Sequence, residues 1–233
     1  MCLCLSMLLG VRIVSLEAAE VSTSLDMTSA YVFRGVTFND GLAAQPGIEM
    51  SGFPIPVTVG VWGNLDLGNY GDALEEGQFS EIDLYGSADI PLPIDWLGLS
   101  VGYTEYTYPS GGGKADRELN LTGELGFELS PSLSVNYGLG GAIRNALYLE
   151  LGLGHEIEWS PCVSVGIDAA LGYVNPDEGD GGISHYALIA GLSYRFLSAS
   201  LTYIGQVDDQ VLPDGIGSYD ANVIGTIGVS YGF

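Results

Sequence analysis

Carboxylates recur at every second position along several stretches of this chain. In 118–129, ELNLTGELGFEL, Glu118, Glu124 and Glu128 share one parity with Asn120 and Thr122, while Leu119, Leu121, Leu125, Phe127 and Leu129 hold the other. Glu81 and Asp83 alternate with Ile82 and Leu84, Glu150 with Leu149 and Leu151, and Asp168 with Ile167 and Ala169. Asp26, Asp66, Asp89, Glu156 and Glu158 extend the acidic set. Its candidate cations are few: Arg34 and Arg195, with His185 as a weaker third. A cavity lined by one sign of charge concentrates counter-ions of the other. The expected chemistry is therefore selection of ions or small solutes, favouring cations, by Arg34, Glu81, Asp83, Glu118, Glu124, Glu150, Asp168 and Arg195. Arg34, with its planar fork, is expected to partner several of these acids as a structural ion pair.

Catalysis finds little support. The two histidines, His155 and His185, lie in no nucleophile motif, and GxSxG, HExxH and P-loop patterns do not occur. The acidic run NPDEGDGG at 175–182 lacks EF-hand spacing and reads as a solvated loop. No enzyme activity, cofactor or metal is expected.

The elements that position these acids must present one oily face and one wet face. Successive strand side chains point to opposite faces, so a period of two gives that surface, whereas a helix would scatter the charge around its circumference. Further alternating runs cover 57–67, 82–90, 97–103, 133–143, 147–159, 163–173, 188–196 and 197–203, after a first strand at 21–38. Many approach the roughly 9–11 residues that a tilted strand needs to cross hydrocarbon. Short links (52–56, 91–95, 130–132, 160–161, 197–198) alternate with longer ones (39–46, 66–78, 108–116, 175–182, 206–220), and 144–145 is the one undersized member of the long set. Setting carboxylates against lipid would be costly, which turns the wet face inward. The expected fold is all-β: a transmembrane antiparallel up-and-down β-barrel of about twelve strands over 20–233.

Composition agrees. Six Lys and Arg against 29 Asp and Glu give a net charge of −23, which leaves no basic patch for nucleic-acid phosphates. A hydrophobic fraction of 47% argues against the disorder that such acidity can signal. Residues 1–19 read as a secretory signal peptide, with an apolar run at 3–14 but no basic residue before it. Cys162 stands alone beyond that leader, so no disulfide framework follows.

The last strand, ANVIGTIGVSYGF, places Val223, Ile227, Val229, Tyr231 and Phe233 on one face and ends on the aromatic Phe233. That ending resembles the assembly signal of bacterial outer-membrane barrels, with Tyr231 and Phe233 as its carriers. The segment TSAYVFRGV at 28–36 resembles the first strand of the TorF family of porins, which carry a Y-x-F-R-G element soon after the signal peptide. Gln45-Pro46-Gly47, VGVWGNLDLG at 59–68 and EIDLYG at 81–86 are similar to that family too. The resemblance is strongest over 21–105. It implies a bacterial outer-membrane location, outer-membrane lipid and the barrel-assembly machinery as partners, and passive diffusion of small solutes. A non-conducting barrel with a structural or surface-interaction role is the alternative.

Overall fold

In the computed structural model, residues 19–71 and 75–233 are described, and their alternation becomes register. The strands in chain order are β1 (Glu20–Thr28), β2 (Tyr31–Phe33), β3 (Val36–Asn39), β4 (Ala43–Ser51), β5 (Val57–Asp66), β6 (Phe79–Asp89) and β7 (Leu97–Thr107). They continue with β8 (Asp116–Leu125), β9 (Ser132–Gly140), β10 (Leu147–Ser160), β11 (Val163–Asn175), β12 (Gly182–Tyr194), β13 (Leu197–Gln206) and β14 (Val223–Gly232). Twelve of them, all but β2 and β3, form one closed antiparallel barrel in sequence order. β1 closes it, pairing with β14 through Leu25↔Val229 and with β4 through Thr28↔Ala43. Closure leaves the wall no free edge to pair with another chain.

Register sorts the side chains. Leu149 pairs with Val135 and Tyr173 on the outer face, and Tyr148 pairs with Asn136 on the inner one. The exposure pattern is inverted relative to a water-soluble protein. Leu151, Leu201 and Ile227 are 51%, 57% and 66% exposed, while Asn64, Asp66 and Glu118 are 0%, 1% and 2% exposed. In water, each bare leucine would forgo burial worth about 1.5–3 kcal/mol, so the outer face calls for an apolar surrounding.

One end of the barrel carries the short turns 52–56, 90–96, 126–131, 161–162 and 195–196; the other carries the longer links. The expected leader lies outside the described residues apart from Ala19. Three expectations need correction. β8 stops at Leu125, so Phe127, Glu128 and Leu129 belong to a turn. The undersized link is really 141–146, opened by a single 3-10 turn at Gly141–Ile143.

The third correction bears on function. The expected first strand at 21–38 is broken: the wall strand ends at Thr28, and 31–39 form the separate β2–β3 hairpin. Arg34 and Gly35 sit at its tip with φ of 53° and 83°, the left-handed pair that a tight two-residue hairpin turn requires. A hairpin strand has the same period of two as a wall strand, so alternation alone could not separate them. Its destination is the lumen. Tyr31 reaches Glu81 on β6, Arg34 reaches Glu118 on β8, and Gly35 packs against His185 on β12.

Candidate functional site

The site is the obstructed lumen, and its lock is the tip of the hairpin. The Arg34 guanidinium donates to both oxygens of Glu118, Nη1 to Oε2 at 2.7 Å and Nη2 to Oε1 at 2.8 Å. Its carbon stands 4.6 Å from the ring centre of Phe33 and 4.2 Å from that of Tyr148. Planar charge between two aromatic faces adds a cation–π attraction to the bidentate pair. Burial works against the Arg34 charge, but the Glu118 hydrogen bonds outweigh it and raise its pKa, so it stays cationic at all ordinary pH. A non-glycine residue in the left-handed region costs roughly 1–2 kcal/mol, and the ion pair offsets that strain.

The rest of the hairpin is held as firmly. Tyr31 Oη donates to Glu81 Oε2 at 2.8 Å, and burial, then the neighbouring carboxylate, pushes the Tyr31 pKa well up. Asn39 Nδ2 and Asn64 Nδ2 both donate to Asp66 Oδ1, at 2.6 and 2.9 Å. Ala30 packs with Ala187, Ile204 and Ile224, a small apolar cluster between the hairpin base and strands β12–β14. The link 207–222 folds over the hairpin: Thr37 N–H donates to the Ser218 carbonyl at 2.7 Å, and Asp220 and Ala221 N–H groups donate to Thr37 Oγ1. Tyr70 Oη donates to Asp220 Oδ2 at 3.0 Å and ties the 67–78 link to the same lid.

The expected site residues divide into three groups. Arg34, Glu81 and Glu118 are brought together at the hairpin. Asp83 stands beside them on the inner face of β6, with Oδ1 buried and lacking a hydrogen-bond partner among the described residues. Glu150 lies next along β10 and accepts from Tyr148 Oη at 2.8 Å. Glu124 and Asp168 face inward on the turn side of the hairpin, both exposed. Arg195 lies at the turn-side mouth of the lumen rather than on its wall, lining a pocket with Glu156, Glu158 and Ser193. It occupies the two-residue turn between β12 and β13, exposed, with φ of 56° and its guanidinium 5.5 Å from the Tyr194 ring. Alternation stops at a turn, so its parity carried no direction.

Tyrosines are the functional residues missed in the sequence. Tyr106 Oη donates to Glu118 Oε1 at 3.2 Å, and Tyr108 Oη to Asp116 Oδ2 at 2.8 Å. Tyr108 lies just past the end of β7; burial and then Asp116 push its pKa up, so it remains a donor. Tyr148 was legible, as a wet-face residue between Leu147 and Leu149. His185 is buried, accepts from or donates to Ser184 Oγ at 3.0 Å, and stacks with Tyr148.

Below the hairpin the inner wall changes character. Ser22, Ser24, Gly98, Ser100, Gly152, Gly154, Gly166, Gly191, Ser198 and Ser200 leave space, and Asp26, Glu49, Asp89, Glu124, Glu156, Glu158 and Asp168 supply charge. Among the described residues one cation stands at this chamber, Arg195, which lines a pocket at its turn-side mouth with Glu156, Glu158, Ser164 and Ser193; Lys114 and Arg144 lie in links, Arg117 points outward beside Glu105, and Arg34 sits at the lock. The result is a roomy acidic vestibule under a packed plug.

A profile of a bacterial protein family of unknown function, Gcw_chp, matches residues 15–223. The chain belongs to the Gcw_chp family. No curated protein matches it. Among solved structures, this Gcw_chp protein is similar to the NanC porin, with a TM-score of 0.52 and 12% identity over 92% of this chain and 99% of that one. It is also similar to the COG4313 outer membrane channel from Pseudomonas putida F1, with a TM-score of 0.52 and 9% identity over 94% and 96% of the two chains. At such identities the likeness is one of fold: a twelve-stranded Gcw_chp barrel of the kind used by these channels.

Proposed function

We propose that this Gcw_chp protein is a bacterial outer-membrane channel that passes small hydrophilic solutes, prefers cations, and is narrowed by its own first loop. The observation that carries the reading is the acidic vestibule, in which seven carboxylates stand against one cation among the described residues, Arg195 at its mouth, inside a wall whose outer face is apolar. The channel fold of the two neighbours and the TorF-like segment at 28–36 support it. The porin reading assigns the chain no catalysis. The alternating C-terminal strand, with Tyr231 and Phe233 facing outward, is the feature through which barrel-assembly machinery would engage the chain.

The test is a planar bilayer holding the refolded protein in a KCl gradient. A reversal potential toward that of K⁺ is expected, and D26N/E156Q/D168N should move it toward zero, because each removes a fixed charge from the wall. Anion preference would overturn the reading. A second reading, a non-conducting barrel, is favoured by the hairpin crossing the lumen from β1 to β8. Absence of any conductance in the same bilayer would select it.

A further inference from the structure

Between the hairpin and the long links lies a partly open cavity of about 270 Å³. Ligand pockets begin at about 300 Å³, so this space suits a molecule at the small end of that range. Its walls are unusual for a water channel. Hairpin residues Phe33, Val36 and Phe38 face Ile143, Val174 and Leu212, so the space is mostly hydrocarbon and ring. A second cavity of about 490 Å³ shares Val36, Phe38, Glu81 and Tyr108 with the first and extends beneath the links through Ser110 and Ile216.

The charge in this apolar space has one unspent sign. Arg34 has given its fork to Glu118 and both its faces to Phe33 and Tyr148, so no anion can use it without breaking the lock. Asp116 is answered by Tyr108 and by the Ala142 N–H. Glu81 is different. It is 3% exposed and lines both cavities, it accepts a hydrogen bond from Tyr31, and Asp83, a second buried carboxylate, stands beside it on the same strand face. Buried carboxylate with too few donors calls for a cation or a donor from outside. Aromatic faces around it favour an organic cation over a hydrated metal ion.

We infer that this cavity is a binding site for a small organic amine with an apolar body, its ammonium on Glu81 and its body against Phe38 and Val36. The inference rests on the channel reading, for it makes the cavity a station on the solute path. It also separates the two roles of the lumen acids: those of the vestibule attract by field, whereas Glu81 recognises by contact.

Titration calorimetry on the full refolded chain in detergent tests it, with phenethylamine as the probe. Three comparison compounds each lack one feature: 2-phenylethanol lacks the charge, 3-phenylpropionate reverses it, and methylammonium lacks the body. Saturable binding of phenethylamine well above all three is expected. E81Q, which keeps an acceptor for Tyr31, should weaken it roughly tenfold or more. A146W, which fills the cavity from the 141–146 link, should abolish it; heat-modifiable gel migration confirms that both variants fold. Equal binding of the alcohol, or no effect of A146W, would overturn the site. K⁺ conductance without phenethylamine binding would sink the site and spare the channel. Binding without conductance would do the reverse.

Discussion

Replacing Arg34 with alanine should release the tip of the hairpin without unfolding the barrel. The wall ladder of twelve strands does not include β2 or β3, so its hydrogen bonds survive the change. What is lost is local. Glu118, with a side chain 3% exposed, keeps one hydrogen bond, from Tyr106 at 3.2 Å, and becomes an uncompensated buried charge. Breaking a buried pair by removing one partner costs about 3–5 kcal/mol, and the two aromatic faces add about 0.5–1 kcal/mol each. Arg34 is 20% exposed, which trims the figure, so about 3 kcal/mol is a working value. At about 1.4 kcal/mol per decade, the balance between docked and released hairpin tip moves by roughly a hundredfold. Single-channel recording of R34A should therefore show larger or longer openings than the parent, with little change in the temperature at which the heat-modifiable band shifts. R34A/E118Q removes both charges and should be more stable than R34A alone, since no carboxylate is then left bare. Parental conductance in R34A, together with a double variant no better than the single, would refute the account of the lock.

Two other outcomes follow from the wall. L151R sets a charge at the middle of the apolar belt, where Leu151 pairs with Leu133 and Leu171; a loss of about 2–4 kcal/mol in urea titration of folding into liposomes is expected, and no loss would mean that this face does not meet lipid. Deleting Phe233 should leave refolding in detergent intact while lowering the folded fraction recovered from outer membranes; equal recovery would remove the assembly role given to the C-terminal strand.

The wall was readable residue by residue because its physics is local. A carboxylate between two leucines on a half-lipid, half-water sheet has one tolerable direction, so Glu81, Asp83, Glu118, Glu124, Glu150 and Asp168 were placed on the inner face from parity alone. Arg34 could be named as an ion-pair partner on the same grounds, but not located. Its partner is 84 residues away and set by how far a hairpin reaches across a barrel. The sequence did hold a mark of that hairpin in Arg34-Gly35, a pair suited to a left-handed turn, yet alternation on both sides of it read as one continuous strand. Arg195 shows the opposite limit: it sits where the strand has ended, so the parity that served Asp168 gave it no direction, and only the turn sets it beside Glu156 and Glu158. The lumen tyrosines were hidden because Tyr is equally at home on an outer belt, as Tyr203 is, and on a carboxylate, as Tyr106 is.

The position of Arg34, on the hairpin and not on the wall, ties the width of the bore to its charge. Had Arg34 been on the wall, it would neutralise Glu118 whatever the loops did. On the hairpin, it cancels that charge only while the hairpin obstructs the lumen. Release would widen the path and add Glu118 to the acids that line it, so a wider state is also a more negative one. In R34A, conductance and cation preference should rise together in the same recording, because the variant removes the obstruction and the countercharge at once. Any wall-mounted scheme for selectivity would let the two vary independently. The strained φ at Arg34 fits this arrangement, since a residue held in the left-handed region by its ion pair gives up that strain when the pair opens.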